Sequence, residues 1–385
     1  MRRYPLASSL GVLLLLVLSA GSACTPAAPA GPAPASPAPA RAAAPTATGP
    51  APSPAAPASA PALPPRPDRP VAKVTIGILG TTSDVVFYLA EEKGYFEHLR
   101  IEPTFERFDS GGRMVASLAT NQIEVGGGSP SVGLYNAIAR GVQVKMVADR
   151  ASSAPGHDTW HMFLRKDLAE SGAVRDYADL RGRRIAVAAK GTTADVLIGR
   201  ALERAGLTLA DVEITEIPYP DMSIAMATGA IDIGVAPEPY ASLAVQRAGA
   251  VKWRGSQELV PNQVAAVLMY TGQFIEQRPD IARDLMVAYL LGVRDYNDAF
   301  MKKQPEALAR VRDTILRRTD LRDPELLERI EVGYINPNGL FDRAALAADY
   351  QWFRQYGGLT ESVDLDQIVD DRFVQYAVSV LGPYR

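Results

Sequence analysis

The chain has 385 residues, 40 Lys and Arg against 43 Asp and Glu, a formal net charge of −3, and one cysteine. The two signs of charge are interspersed and no basic block occurs, which excludes nucleic acid as a partner. A lone cysteine excludes an internal disulfide, and the part after residue 70 is too long for one simple core and suits two lobes.

At the N-terminus, Arg2 and Arg3 precede the apolar run Leu10 to Leu18, then the small residues Ser19 to Ala23, then Cys24. The run is shorter than the roughly 20 residues a spanning helix needs, so residues 1–23 read as a cleaved export signal. Cys24 behind small residues resembles a bacterial lipobox, with Gly21 where Leu is usual. That resemblance implies acylation of the Cys24 thiol and an exported protein held at the membrane, periplasmic or on the outer face of the cell. From Thr25 to Pro70 the chain is mostly Ala and Pro and has little apolar surface to bury. Residues 24–70 therefore read as a lipidated cysteine followed by a disordered, polyproline-rich tether. No second long apolar run is present to suggest another span.

Beyond the tether, short apolar strands alternate with amphipathic helices, the pattern of an α/β fold with mostly parallel sheets. Lys73 to Leu79 reads as a strand and Val85 to Phe96 as a helix with Val86, Tyr88, Leu89 and Phe96 on one face. The series continues with a strand at Ile101 to Phe105, a helix at Gly112 to Thr120, a strand at Ile123 to Gly126, a helix at Val132 to Arg140 and a strand at Val144 to Ala148. At Arg184 to Ala188 the series begins again. Ala265 to Tyr270 is an apolar strand, and the tail is helical over Ile281 to Met301, Pro305 to Arg317, Pro324 to Val332 and Arg343 to Tyr356.

Two short sequences recur. Gly80-Thr81-Thr82-Ser83-Asp84-Val85 follows the first strand, and Gly191-Thr192-Thr193-Ala194-Asp195-Val196 follows the strand at Arg184. Gln122-Ile123-Glu124-Val125-Gly126 is answered, at nearly the same offset, by Ala230-Ile231-Asp232-Ile233-Gly234. Two matched loops at one spacing predict two doubly wound lobes of similar topology. The boundaries expected are 71–162 and 262–385 for lobe 1 and 163–261 for lobe 2. Two crossing strands, near Met162 to Arg165 and Val260 to Val264, would form the hinge.

Ligands of open α/β sheets settle beyond the carboxyl ends of the strands. Four loops there carry hydroxyls, carboxylates or free N–H groups: Thr82, Ser83 and Asp84; Ser129 and Ser131 after the triple glycine 126–128; Thr192 and Thr193 with Asp195; and Glu238 with Tyr240. Asp84 and Asp195 are equally suited to capping helices. Glu238, between two prolines, is held in a fixed place and suits a cationic or N–H-rich ligand group. Trp160, Tyr219, Met222 and Tyr240 are candidate apolar walls. The triple glycine has neither a dinucleotide fingerprint nor a P-loop lysine and suits close backbone approach instead. His157 and His161 lie near Asp158, but no further ligand completes a zinc set in the sequence, and no nucleophile elbow occurs. No metal, cofactor or catalytic residue is expected.

Phe87-Tyr88-Leu89-Ala90-Glu91-Glu92-Lys93-Gly94-Tyr95-Phe96, Asp179-Leu180-Arg181-Gly182 running on to Val187, Gly229-Ala230-Ile231-Asp232 and Glu238-Pro239-Tyr240 resemble segments of the ABC-importer binding proteins for nitrate, sulfonate, taurine and thiamine-precursor pyrimidines. The resemblance runs from about Lys73 to Phe353. It implies a type II periplasmic-binding-protein fold, a small-molecule ligand between the lobes, a permease partner in the membrane and a monomeric receptor. Asp84, Asp195 and Glu238 would burden a sulfonate pocket with negative charge; unless they turn away as caps, a pyrimidine or other heteroaromatic fits better. Two alternatives remain open: a ligand-binding lobe serving a sensor or other membrane partner, and a thiamine-pyrimidine synthase-like enzyme, whose cysteine-rich motif this chain lacks.

Overall fold

The computed structural model describes residues 63–385. The export signal, Cys24 and the greater part of the tether lie outside the described residues. The last residues assigned to the tether are laid against the first lobe: His98 Nε2 lies 2.7 Å from the Pro64 carbonyl oxygen, and Arg69 donates to Leu99 O at 2.7 Å and pairs with Asp284 at 2.7 Å.

Ten strands form two five-stranded sheets. β1 (Ala72–Ile78), β2 (Ile101–Arg107), β3 (Val125–Gly128), β4 (Val144–Ser152) and β10 (Val264–Thr271) make the first, in the order β2-β1-β3-β10-β4. β5 (His161–Leu164), β6 (Arg184–Val187), β7 (Glu213–Glu216), β8 (Ile233–Ala236) and β9 (Val251–Gly255) make the second, in the order β7-β6-β8-β5-β9. The two orders are equivalent. In each sheet the strand preceding the Gly-Thr-Thr loop (β1 or β6) sits between two parallel partners, and an antiparallel strand (β10 or β5) follows the third. The sequence repeat is thus a repeat of topology, and both copies of the loop emerge from the same corner of their sheets.

The crossings lie earlier than the sequence suggested. Met162 is already inside β5, paired with Val235, so the first crossing is residues 153–160, and the second is residues 256–263. Neither crossing is a strand throughout: the first contains a turn closed by Ala154 and His157, the second the short helix Ser256–Leu259. They run side by side, Ser153 donating its N–H to Gln263 O at 2.9 Å, with Ser153 Oγ and Ser256 Oγ 2.6 Å apart. The expected helix over Val85 to Phe96 breaks at Gly94, whose φ of 71° lets the chain turn between Val85–Glu92 and Tyr95–His98.

The helix Pro279–Phe300 is the backbone of the first lobe, with Ala282, Leu285, Met286, Tyr289 and Val293 buried against Phe87, Leu89 and Phe373. A 22-residue helix with so wide an apolar stripe is stabilised by packing on several sides rather than by propensity. The helix Arg343–Gln355 reaches the second lobe, where Trp352 Nε1 donates to Glu203 at 3.3 Å, as does the helix Pro324–Arg329, whose cap Asp323 accepts from Gln246. No helix among the described residues is long and apolar enough to cross a membrane.

Candidate ligand-binding site

The two Gly-Thr-Thr loops share a local architecture. Gly80 and Gly191 take φ of 76° and 71°, a left-handed turn that glycine enters without a Cβ penalty. Four residues on, a carboxylate folds back to hold the turn. Asp84 Oδ2 accepts from Thr81 N at 2.7 Å and Leu79 N at 3.1 Å, and Asp195 Oδ2 accepts from Gly191 N at 2.6 Å. Both aspartates act as caps within their own loops.

The lobes meet across the cleft through these loops. Thr82 N donates to Glu238 O at 3.1 Å, Val132 N to Gly191 O at 2.8 Å, and Thr193 Oγ1 to Ala265 O at 3.1 Å. Tyr240 reaches out of the second lobe, its hydroxyl 3.2 Å from Leu79 O and 3.0 Å from Asp320, and it accepts from Arg107 at 2.9 Å. The cleft is therefore closed, each backbone contact worth about 1 kcal/mol net of what water would have offered.

Inside the closed cleft lies a cavity of about 40 Å³ walled by Leu79, Thr82, Ser83, Ser129, Arg150, Thr159, Trp160, Tyr219, Pro237, Glu238 and Ala265, among others. At about 10–15 Å³ per water it has room for roughly three waters or one compact group. Three wall side chains place a polar atom in buried surroundings with no hydrogen-bond partner among the described residues: Arg150 Nε, Thr159 Oγ1 and Trp160 Nε1. A buried donor without an acceptor costs about 1–3 kcal/mol. All three atoms belong to side chains that wall this one cavity.

Arg150 is the residue that the sequence reading overlooked. The strand expected to end at Ala148 continues to Ser152, and alternation turns Asp149 and Arg150 to opposite faces. Asp149 accepts from Asn336 N at 2.7 Å, and burial pushes its carboxyl up to about 7. Arg150, 1% exposed, threads past β3 toward the cavity: a Cβ on Gly127 would stand 1.9 Å from its Nε. The triple glycine thus serves close approach, of the Arg150 side chain at Gly127, the Gly111 backbone at Gly128 and the Leu118 side chain at Gly126. Arg150 donates to Ser83 Oγ at 2.7 Å and forms a buried ion pair with Asp84. The available signal was an Asp149-Arg150 pair of charges continuing the otherwise apolar run Met146 to Ala148.

Of the residues singled out from sequence, Thr82, Ser83, Ser129, Trp160 and Glu238 line the cavity. Asp84 stands behind the wall as partner of Arg150. Ser131 caps the helix Val132–Ala139, accepting from Leu134 N at 3.2 Å, and bridges Thr192 across the lobes. Thr192 Oγ1 donates to Ala189 O at 3.1 Å, Thr193 bonds Ala265, and Met222 is core at 1% exposure. Tyr240 stacks on Tyr219 at 5.2 Å, so the nearer wall is Tyr219. Glu238 meets the cavity with its backbone; its carboxylate accepts from Ser242 N at 3.1 Å and Ser242 Oγ at 2.8 Å and pairs with Lys252. None of the three carboxylates adds uncompensated negative charge to the cavity: Asp84 is paired with Arg150, Glu238 with Lys252, and Asp195 lies outside the wall.

Comparison with known proteins gives the same architecture. Residues 68–311 match the model of the NMT1-like family. An Escherichia coli (strain K12) protein described as an aliphatic sulfonates-binding protein is 25% identical over 122 residues, 32% of this chain and 37% of that relative. The match thus spans little more than a third of the relative's length. Among solved structures, the alkanesulfonate-binding protein of Xanthomonas axonopodis pv. citri, bound to MOPS, is 18% identical with a TM-score of 0.61, covering 79% of this chain and 99% of that one. The periplasmic nitrate-binding protein of Synechocystis PCC 6803 is 15% identical with a TM-score of 0.63, covering 81% and 89%. The fold these solved structures share with this chain is the type II periplasmic-binding-protein fold. The chain belongs to the NMT1-like family.

Proposed function

We propose that this chain is an exported lipoprotein, anchored through Cys24, that takes a small solute into the interlobe cavity as a monomer and hands it to an ABC importer permease. The observation that carries the reading is the set of three unpartnered buried atoms, Arg150 Nε, Thr159 Oγ1 and Trp160 Nε1, around one cavity between two hinged lobes. Two are obligatory donors, and the third is a hydroxyl that can donate. The set favours a ligand rich in acceptor oxygens, with Tyr219, Pro237 and Ala265 against its apolar part. A short sulfonate has that chemistry. A pyrimidine offers ring nitrogens and fewer acceptor oxygens, and the carboxylates that argued for it are engaged elsewhere. The division into lobes of 71–152 with 264–385, and 161–255, joined by the two crossings, supports closure of one lobe on the other about 153–160 and 256–263.

Titration calorimetry with ethanesulfonate, taurine, nitrate and a hydroxymethylpyrimidine tests the reading. Ethanesulfonate or taurine should bind, and Trp160→Phe should weaken that binding about tenfold, the worth of one hydrogen bond to a charged acceptor. Tight binding of the pyrimidine alone would overturn the sulfonate assignment. For the anchor, mass spectrometry of the mature protein should find diacylglycerol on Cys24, and its absence there would refute it.

A further inference from the structure

Beside the cavity, and outside its wall, lies a second gathering of ligand-type side chains. Asp158 and His161 come from the first crossing and the start of β5, and Glu331 from the segment after the helix Pro324–Arg329. Each places one ligand-type atom so that the three lie within 4.8 Å of one another. Glu331 is far from the other two in sequence, which is why only the fold shows the third member that the histidine–aspartate stretch lacked.

His161 is 3% exposed, and its Nε2 has no hydrogen-bond partner among the described residues. Its nearest ion-pair partner is Glu238 Oε1 at 3.7 Å, an oxygen already held by Ser242 and Lys252. Burial lowers the pKa of this imidazole; Glu238, Asp158 and Glu331 oppose that shift and Lys252 adds to it. A neutral imidazole with an unused nitrogen is the form that ligates metals. Asp158 uses Oδ1 to accept from Gln257 N at 2.5 Å and Ser256 Oγ at 3.2 Å, which fixes the side chain while leaving Oδ2. Glu331 is exposed, so its carboxylate can swing inward. Around His161 three carboxylates face one ammonium, an imbalance that a cation corrects.

We propose that Asp158, His161 and Glu331 form a divalent-cation site, with Zn²⁺ the best match to one imidazole and two carboxylates. Tetrahedral ligands about 2.0–2.2 Å from zinc stand about 3.3 Å apart, so the cluster contracts by rotation of the exposed Glu331 side chain. Asp158 and His161 bracket Thr159 and Trp160, both in the cavity wall, and Glu331 lies just before Gly333, another wall residue. A bound ion therefore ties the first crossing to the C-terminal segment around the cavity and favours the closed arrangement. The site is separate from the solute cavity, so its failure would leave the transport reading standing.

The test uses full-length, tag-free protein stripped with EDTA and titrated with ZnCl₂. The wild type should rise in unfolding midpoint by at least about 3 °C at saturating zinc. Glu331→Ala, at an exposed position, should keep its metal-free midpoint within about 1 °C and bind zinc at least about tenfold more weakly. In His161→Gln the visible absorption of bound Co²⁺ should lose its intensity. No midpoint rise in the wild type, or an equal rise in Glu331→Ala and His161→Gln, would overturn the assignment.

Discussion

In the first lobe the loop Gly80 to Asp84 walls the cavity, and in the second the loop Gly191 to Asp195 presses against the opposite lobe. Their backbones and capping bonds are alike, and their partners differ. Asp84 has Arg150 for its second oxygen, while Asp195 Oδ1 is buried without a partner. Where the first loop has Ser83, which accepts from Arg150, the second has Ala194. One local solution for turning a strand into a helix therefore makes an interlobe contact in both lobes, and it also walls the cavity where an arginine crosses from β4. A loop motif fixes geometry, and what arrives from elsewhere in the fold fixes its role.

The comparison can be broken most sharply at Arg150. Arg150→Ala leaves Asp84 buried and uncompensated and should cost about 3–5 kcal/mol in denaturant unfolding, because a broken buried pair is worse than none. Combining Arg150→Met with Asp84→Asn should return a large part of that stability while solute binding stays lost. If the single variant unfolds like the wild type, the pair is not the buried anchor described here.

The same carboxylate-to-amide change should act differently in the second loop. Burial pushes the Asp195 carboxyl up to about 6 from an ordinary 3.8. Between those values the folded chain holds a proton that the unfolded chain has released, so stability falls as pH rises from about 4 to 6. Asp195→Asn should flatten this slope and, above pH 6, offset about 1–3 kcal/mol of the burial cost. Unfolding midpoints measured from pH 4 to 8 would show it. Equal destabilisation by Asp84→Asn and Asp195→Asn would mean that the two loops are energetically alike.

The smallest effect is expected at the interlobe bond itself. Thr193→Val removes the hydroxyl that reaches Ala265 O and should cost about 1 kcal/mol, without altering the capping bond of Asp195. Small-angle scattering of the unliganded variant should show a larger open population than the wild type.

Much of this protein was written locally. Period-two and period-3.6 patterns placed most of the first-lobe strands and helices to within a few residues, and in the second lobe the strand at Arg184. The repeat at Gly80 and Gly191 predicted two lobes of one topology, because a strand–turn–helix needs the same glycine and the same capping carboxylate wherever it occurs. Six wall residues, Thr82, Ser83, Ser129, Trp160, Tyr219 and Glu238, were named from sequence because clefts in open α/β folds form at the loops that follow strands.

What only the tertiary structure decided is which way the charged groups face and who partners them. Nothing near Asp84 in sequence announces Arg150, which reaches it through the gap that Gly127 leaves in β3. Nothing near Glu238 shows that its carboxylate turns back to Ser242 and Lys252. The sequence therefore counted three carboxylates at the cleft and leaned toward a ligand that tolerates them, while the fold pairs or removes each one. A charge in a pocket is an interaction between residues far apart in the chain, and local pattern carries no record of it.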